Sequence, residues 1–226
     1  MTRVVVVCEG QTEETFVRDV LSPPFSERGL FLESQMIQTS PGHRGGALKY
    51  DRVSLHLRNT LRQRNAPIVT TMFDLYKLDA AFPGFADAAR ETTLGARVAA
   101  LTAALHADVV AKSACRPERF IPHIQPHEFE ALLFSDVEAL TSIEGGWAAA
   151  KDRLRTVRNA AADPEHINGR PETKPEAHLA RHLKNPGYHK VRHGPLAARE
   201  IGLDRIEQEC PVFARWIARL REVPAS

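Results

Sequence analysis

Two acidic residues stand directly behind apolar, strand-like runs. Arg3-Val4-Val5-Val6-Val7-Cys8 leads into Glu9, and Pro67-Ile68-Val69-Thr70-Thr71-Met72-Phe73 leads into Asp74. In open parallel sheets ligands bind beyond the carboxyl ends of the strands, so both side chains emerge on one edge. A carboxylate at the mouth of a buried sheet gains little unless something binds it. Hard divalent ions such as Mg²⁺ or Mn²⁺ take oxygen ligands, usually a few carboxylates with water and substrate phosphate. Glu9 and Asp74 are therefore expected to share one acidic, metal-binding site. Glu13 follows Glu9 by four residues and lies in a first helical turn, from which it can face the same crevice. Acids in a first turn also complement the helix dipole, an alternative account of Glu13 and the favoured one for Glu14.

A second acidic feature is His127-Glu128-Phe129-Glu130-Ala131-Leu132-Leu133-Phe134. Phe129, Leu132 and Leu133 make an apolar face. Glu128 and Glu130 are two apart, so a regular helix points them in different directions. At least one reaches the crevice if residues 119–124 form the next strand. Other chemistries lack their signatures. There is no GxSxG elbow, no CxxC pair, no HExxH, no Walker A loop and no GxGxxG loop. His178 and His182 are spaced for one helix face but have no acidic co-ligand of the usual kind, and read better as a solvated or phosphate-facing pair.

The elements that position these residues follow from periodicity. Residues 3–8 suit a strand covered on both faces. Thr12 can cap a helix carrying Phe16, Val17, Val20 and Leu21 on one face, which Pro23-Pro24 should end. Residues 30–39 read as a second strand and 41–46 as a Gly-rich loop. A helix over about 47–63 shows Val53, Leu57 and Leu61, and 67–73 is the third strand. An Ala/Leu-rich helix spans 91–112, a fourth strand 119–124, and short helices 127–134 and 136–150. Beyond about 140 the chain is helical, and Pro164, Pro171, Pro175, Pro186 and Pro195 should break it into pieces. This alternation predicts an α/β fold with a mostly parallel sheet, a core over 1–140 and a helical extension over 141–226 packed on it.

The formal charge is +2, yet segment 151–199 is basic, with eleven Lys and Arg against five acids. A basic segment beside an acidic site fits a polyanionic substrate. The three cysteines are far apart, so neither a disulfide framework nor a zinc ribbon is expected. No apolar stretch is expected to reach the ~18–20 residues of a membrane helix, no cleavable signal is evident, and the default location is the cytoplasm.

The stretch Val7-Cys8-Glu9-Gly10-Gln11-Thr12-Glu13-Glu14-Thr15-Phe16-Val17 resembles the opening of TOPRIM-type domains, found in topoisomerases, primases and OLD-like nucleases. More closely, the chain resembles the DUF4276 family, similar to RloB-like proteins found near phage-defence ATPases. Further matching pieces are Met72–Leu78, Phe82-Pro83-Gly84, His127–Asp136, Ile167-Asn168, Tyr188-His189-Lys190 and Cys210–Trp216. The resemblance implies a TOPRIM-like Rossmannoid core and Mg²⁺-dependent phosphodiester chemistry. It assigns Glu9 and Asp74 to metal binding and catalysis, with Glu13, Glu128 or Glu130 and Lys190 or Lys174 completing the site. TOPRIM domains usually carry Asp-x-Asp, but Tyr76 stands at the second position here, so a third carboxylate must come from 128–130. Where family members tend to read Pro-Ser-Lys-Arg-Leu, this chain has Pro175-Glu176-Ala177-His178-Leu179.

The expected function is a metal-dependent nuclease. Glu9, Asp74 and Glu130 with Lys190 would form the catalytic set, and Arg44, Lys174 and His127 would contact DNA or RNA. The rival is a regulatory subunit that partners an ATPase protein, and a third reading is a phosphatase or phosphotransferase acting on small molecules. A homo-oligomer is compatible with either of the first two.

Overall fold

The computed structural model describes residues 2–37, 48–167 and 170–225. Arg44, the Gly-rich loop and Asn168 fall outside them. The first strand, β1 (Thr2–Cys8), is flanked by β2 (Leu30–Met36) and β3 (Ile68–Asp74). The sheet runs β2-β1-β3 and continues past β3 into two short pieces, β4 (Phe120–Ile121) and β5 (Ile124–Gln125). Every pairing among the described residues is parallel. The expected single fourth strand is interrupted because Pro122 cannot donate a ladder bond. Thr71 Oγ1 compensates by accepting from the His123 N–H at 2.9 Å and donating to the His123 carbonyl at 2.8 Å.

The β-branched run of β1 is buried on both sides, as parallel sheets require. Val5 and Val7 face one core with Val69 and Phe73, covered by α3 (Tyr50–Leu61) and α5 (Leu94–Ser113). Val4, Val6 and Cys8 face a second core with Phe16, Phe129, Phe213 and Trp216. Its other walls are α1 (Gln11–Phe16) and the C-terminal helices. These include α6 (Val137–Ser142), α7 (Lys151–Asn159), α8 (Pro175–His182), α9 (Lys190–Ile201), α10 (Leu203–Glu209) and α11 (Pro211–Arg221). Phe16 meets Phe129 edge-on at 5.2 Å, and the Trp216 indole donates to Thr70 Oγ1 at 2.7 Å.

Four local expectations are corrected. Gly10, not Thr12, precedes the first helix, and Thr12 is buried inside it. Pro23-Pro24 does not end that helix. A π-helical turn at Val17–Leu21 leads into α2 (Ser22–Ser26), where the prolines fall in a new first turn that needs no N–H from them. Pro195 lies inside α9 without breaking it. The bond it forfeits is to the carbonyl of solvent-exposed Val191, near the helix start, and burial of Pro195, Ala197, Ala198 and Ile201 holds the rest. Finally, α5 is long and apolar enough by length and composition to cross a membrane, with a mean hydropathy of 1.4 over its best window. Its many alanines raise that value. Here it covers the sheet, burying Val98, Leu101, Leu105 and Val109, while α4 (Phe85–Ala88) lies against it.

Candidate active site: carboxylates around a buried lysine

The carboxyl ends of β1 and β3 lie side by side, with Cys8 opposite Met72. The next residues therefore meet. The Asp74 backbone N–H donates to Glu9 Oε1 at 2.7 Å, joining the two strand-end acids directly. Asp74 Oδ1 in turn accepts the Phe129 N–H at 2.9 Å, which ties the β3 end to the 3₁₀ segment Phe129–Ser135. Glu13, Asp74, Glu128 and Glu130 are all buried.

Lys190, the first residue of α9, enters this group. Its ammonium lies 3.1 Å from Glu130 Oε2, 3.8 Å from Glu13 Oε1 and 4.0 Å from Asp74 Oδ2. Close helix approach makes that possible. A Cβ at Gly194 would stand 3.0 Å from the Phe129 ring and 3.1 Å from the Thr12 methyl and would push both aside by a few tenths of an ångström, so glycine favours the close seating of α9 against α1 and the 3₁₀ segment. The Tyr188 hydroxyl donates to Glu130 Oε1 at 3.4 Å. A second lysine serves Glu128: Lys174 reaches it at 3.1 Å and Glu176 at 2.6 Å, and the Glu176 N–H, at the start of α8, donates to Glu128 at 2.5 Å. The adjacent glutamates thus point to different partners, and both are buried.

Crowding of like charges in a dry site sets the protonation. Burial, then Asp74 and Glu13, push the Glu9 carboxyl well above its usual range. Burial also raises Asp74, opposed by Lys190 and assisted by Glu13 and Glu130. Glu130 is pushed up to about 7, by burial first, with Lys190 as the main opposing charge. Lys190 is held protonated against its own desolvation by Glu130, Asp74 and Glu13. Lys77, outside the expected site residues, also favours the charged forms of Glu9 and Glu176. Glu176 likewise lies outside them. Its signal was Pro175 at a helix start, which aims free N–H groups at an acid.

Not every expected residue joins the cluster. The carbonyl of His127 accepts from Tyr76 N–H at 3.1 Å, but its imidazole is lowered by burial, His166 and Arg97 rather than held by the carboxylates. Much of the basic segment is paired with acids elsewhere: Lys151 and Arg155 with Glu138, Arg158 with Glu209, Arg192 with Glu144. Among the described residues no three acidic, histidine or cysteine side chains stand together at metal-ligand spacing. The donor chemistry nevertheless fits a hard dication, since Glu9, Glu13, Asp74 and Glu130 offer only carboxylate oxygens. The positive charge among them in this conformation is the Lys190 ammonium.

The fold and site together define a Rossmann-like α/β protein with an acidic, lysine-bearing centre at the carboxyl edge of its parallel sheet. The chain belongs to the family described as Domain of unknown function (DUF4276), whose model matches residues 8–221. No curated protein and no solved structure matches it.

Proposed function

We propose that the protein is a TOPRIM-like, Mg²⁺- or Mn²⁺-dependent phosphodiesterase acting on nucleic acid in the cytoplasm, in a phage-defence setting. The observation that supports this reading most is the convergence of Glu13, Asp74 and Glu130 on one ammonium, with Glu9 hydrogen-bonded to the Asp74 backbone. A divalent ion bound by Glu9, Asp74 and Glu130 would supply charge neutralisation at the phosphate and an acidified water. The chain's own residues do the rest. The Asp74 N–H fixes the Glu9 carboxylate, and the Phe129 N–H fixes that of Asp74. Lys190 and Tyr188 hold the Glu130 carboxylate, the third ligand of that set. Lys190 is placed to neutralise charge developing on the phosphate oxygens.

Purified protein incubated with single- and double-stranded DNA and RNA, tRNA included, with Mg²⁺ or Mn²⁺, tests this. Metal-dependent cleavage that Glu9→Gln and Asp74→Asn abolish is expected. Absence of cleavage, or cleavage unchanged in both variants, removes the reading. One observation favours a second reading, a non-catalytic partner of an ATPase: the position among the acids is held by a lysine. Co-purification with an ATPase by a chain that neither binds metal nor cleaves would support it.

A further inference from the structure

Helix α8 links two surfaces of opposite character. Its N-terminal end holds Glu128 of the acidic centre through Lys174 and the Glu176 N–H. About 12 Å farther along, given eight residues at 1.5 Å each, its C-terminal end carries cations. His178 and His182 lie stacked one turn apart, with ring centroids at 6.3 Å. Burial first, then the charges of Arg181, Arg153 of α7 and Lys184, lower the His182 pKa. For His178 burial acts first, followed by Arg181 and His182. No acid features among these influences.

The cations here are also unneutralised. Arg181 donates to the Glu172 carbonyl at 3.0 Å and Lys184 to the Ala180 carbonyl at 2.6 Å, so each spends itself on backbone. Arg153 makes no ion pair among the described residues, and it and Arg181 are exposed. The opposite face of the same α7 is built differently: Lys151, Arg155 and Arg158 each meet a carboxylate. A solvated decorative face would be expected to mix signs on both sides.

We propose that the α7–α8 face formed by Arg153, His178, Arg181, His182 and Lys184 is a binding track for a single nucleic-acid strand, contacted through its phosphates. The inference rests on the phosphodiesterase reading for its choice of polyanion. Arg153 of α7, Arg181 and the two imidazoles of α8, and Lys184 just beyond α8 supply sequence-independent phosphate contacts, and α8 delivers the strand toward the acidic centre it also braces. None of the five track residues is a Phe, Tyr or Trp on which a base could stack, so the contacts fall on phosphates.

The test is fluorescence anisotropy of a labelled oligothymidylate, and of an oligouridylate, titrated with protein in EDTA over a range of salt. Wild-type affinity should fall steeply with salt. Arg153→Ala/Arg181→Ala/Lys184→Ala should bind at least tenfold more weakly at low salt. Its log–log salt slope should be shallower by about two, since each single-strand phosphate contact contributes roughly 0.7. Arg64→Ala/Arg90→Ala/Arg116→Ala, an equal charge change elsewhere on the surface, should leave the slope alone. The proposal is overturned if both triples behave alike, if wild type shows no salt-dependent binding, or if poly-glutamate of matched length binds the patch as well as the oligonucleotides. Because EDTA withholds divalent metal, binding is read apart from any metal-dependent cleavage, and the two readings separate. Patch-dependent binding without cleavage under metal leaves the track standing and the phosphodiesterase failed, whereas cleavage indifferent to the track triple does the reverse.

Discussion

Two buried glutamates in this molecule have carboxyl groups pushed to about 7 by the same cause, desolvation, and they illustrate different uses of it. Glu165 lies beneath the start of α11. Its oxygens accept the Val212 and Phe213 N–H groups at 2.7 and 3.0 Å and the Gln125 amide at 3.4 Å. Gln125 continues to His123, which stacks on Trp216 at 4.4 Å. Every partner there is neutral and every one is part of the scaffold, so Glu165 fastens a helix to the sheet. Glu130 instead faces an ammonium, a phenol and, through Lys190, two further carboxylates. A raised carboxyl pKa is thus common to a brace and to a candidate reactive centre. What separates them is whether several ionisable groups converge on one point.

The largest contrast should be in turnover. Glu130→Gln is expected to reduce metal-dependent cleavage by about 10³-fold or more, a loss in the range seen when a general base or a metal ligand is removed. Glu165→Gln should leave it within about threefold. Equal losses in a steady-state cleavage assay would erase the distinction.

Next in size is the effect on folding of removing the central charge. Lys190→Met strands several buried carboxylates and should cost about 3–5 kcal/mol in urea unfolding at pH 7, as expected for a broken buried pair. The cost should shrink in acid, where the carboxylates are protonated. A variant as stable as wild type would show that the ammonium is not what holds the acids together.

The pH dependence of stability sharpens the comparison further. Glu165 has a folded pKa of about 7, above the ordinary carboxyl value. The stability it lends is therefore fully present below about pH 4.5 and is lost as pH rises toward 7. Glu165→Gln should flatten that part of the stability curve and at pH 8 should gain on the order of 1–2 kcal/mol against wild type, less whatever the second backbone N–H loses. A steeper curve in the variant would contradict the sign. His123 acts in the opposite sense, because burial pushes its imidazole down to about 4, and it withdraws stability as pH falls below about 6.5.

The smallest expected effect is at Tyr188. Tyr188→Phe removes one long hydrogen bond to the Glu130 carboxylate and should raise the pH midpoint of cleavage by a few tenths of a unit, with turnover at pH 9 within about threefold. A large fall at every pH would instead give the phenol a role in the reaction itself.

The strand-end acids were legible in the chain because apolar β-branched runs stop at Glu9 and Asp74, and parallel register carries both to one edge. The supporting acids were only half legible. Glu128 and Glu130 are two apart, and nothing local says that each will find its own lysine; that depends on α8 and α9 returning from far along the chain. Lys190 could be named from its family motif, but its position at the hub is set by Gly194, whose missing side chain lets α9 close on α1. Local rules also overstated the prolines. Pro23-Pro24 and Pro195 read as breaks, yet a π-turn and a solvent-facing carbonyl absorb them. Arg44 lies in residues outside those described.

The central claim is that the Lys190-centred carboxylates form one site able to take a divalent ion. Mn²⁺ titration followed by electron paramagnetic resonance tests it most directly, with or without turnover. The account predicts that wild type and Glu165→Gln each bind at least one Mn²⁺ per chain, and that Asp74→Asn loses that binding with its thermal unfolding otherwise intact. Wild type that leaves Mn²⁺ free in solution, or Asp74→Asn that binds as wild type does, would contradict it.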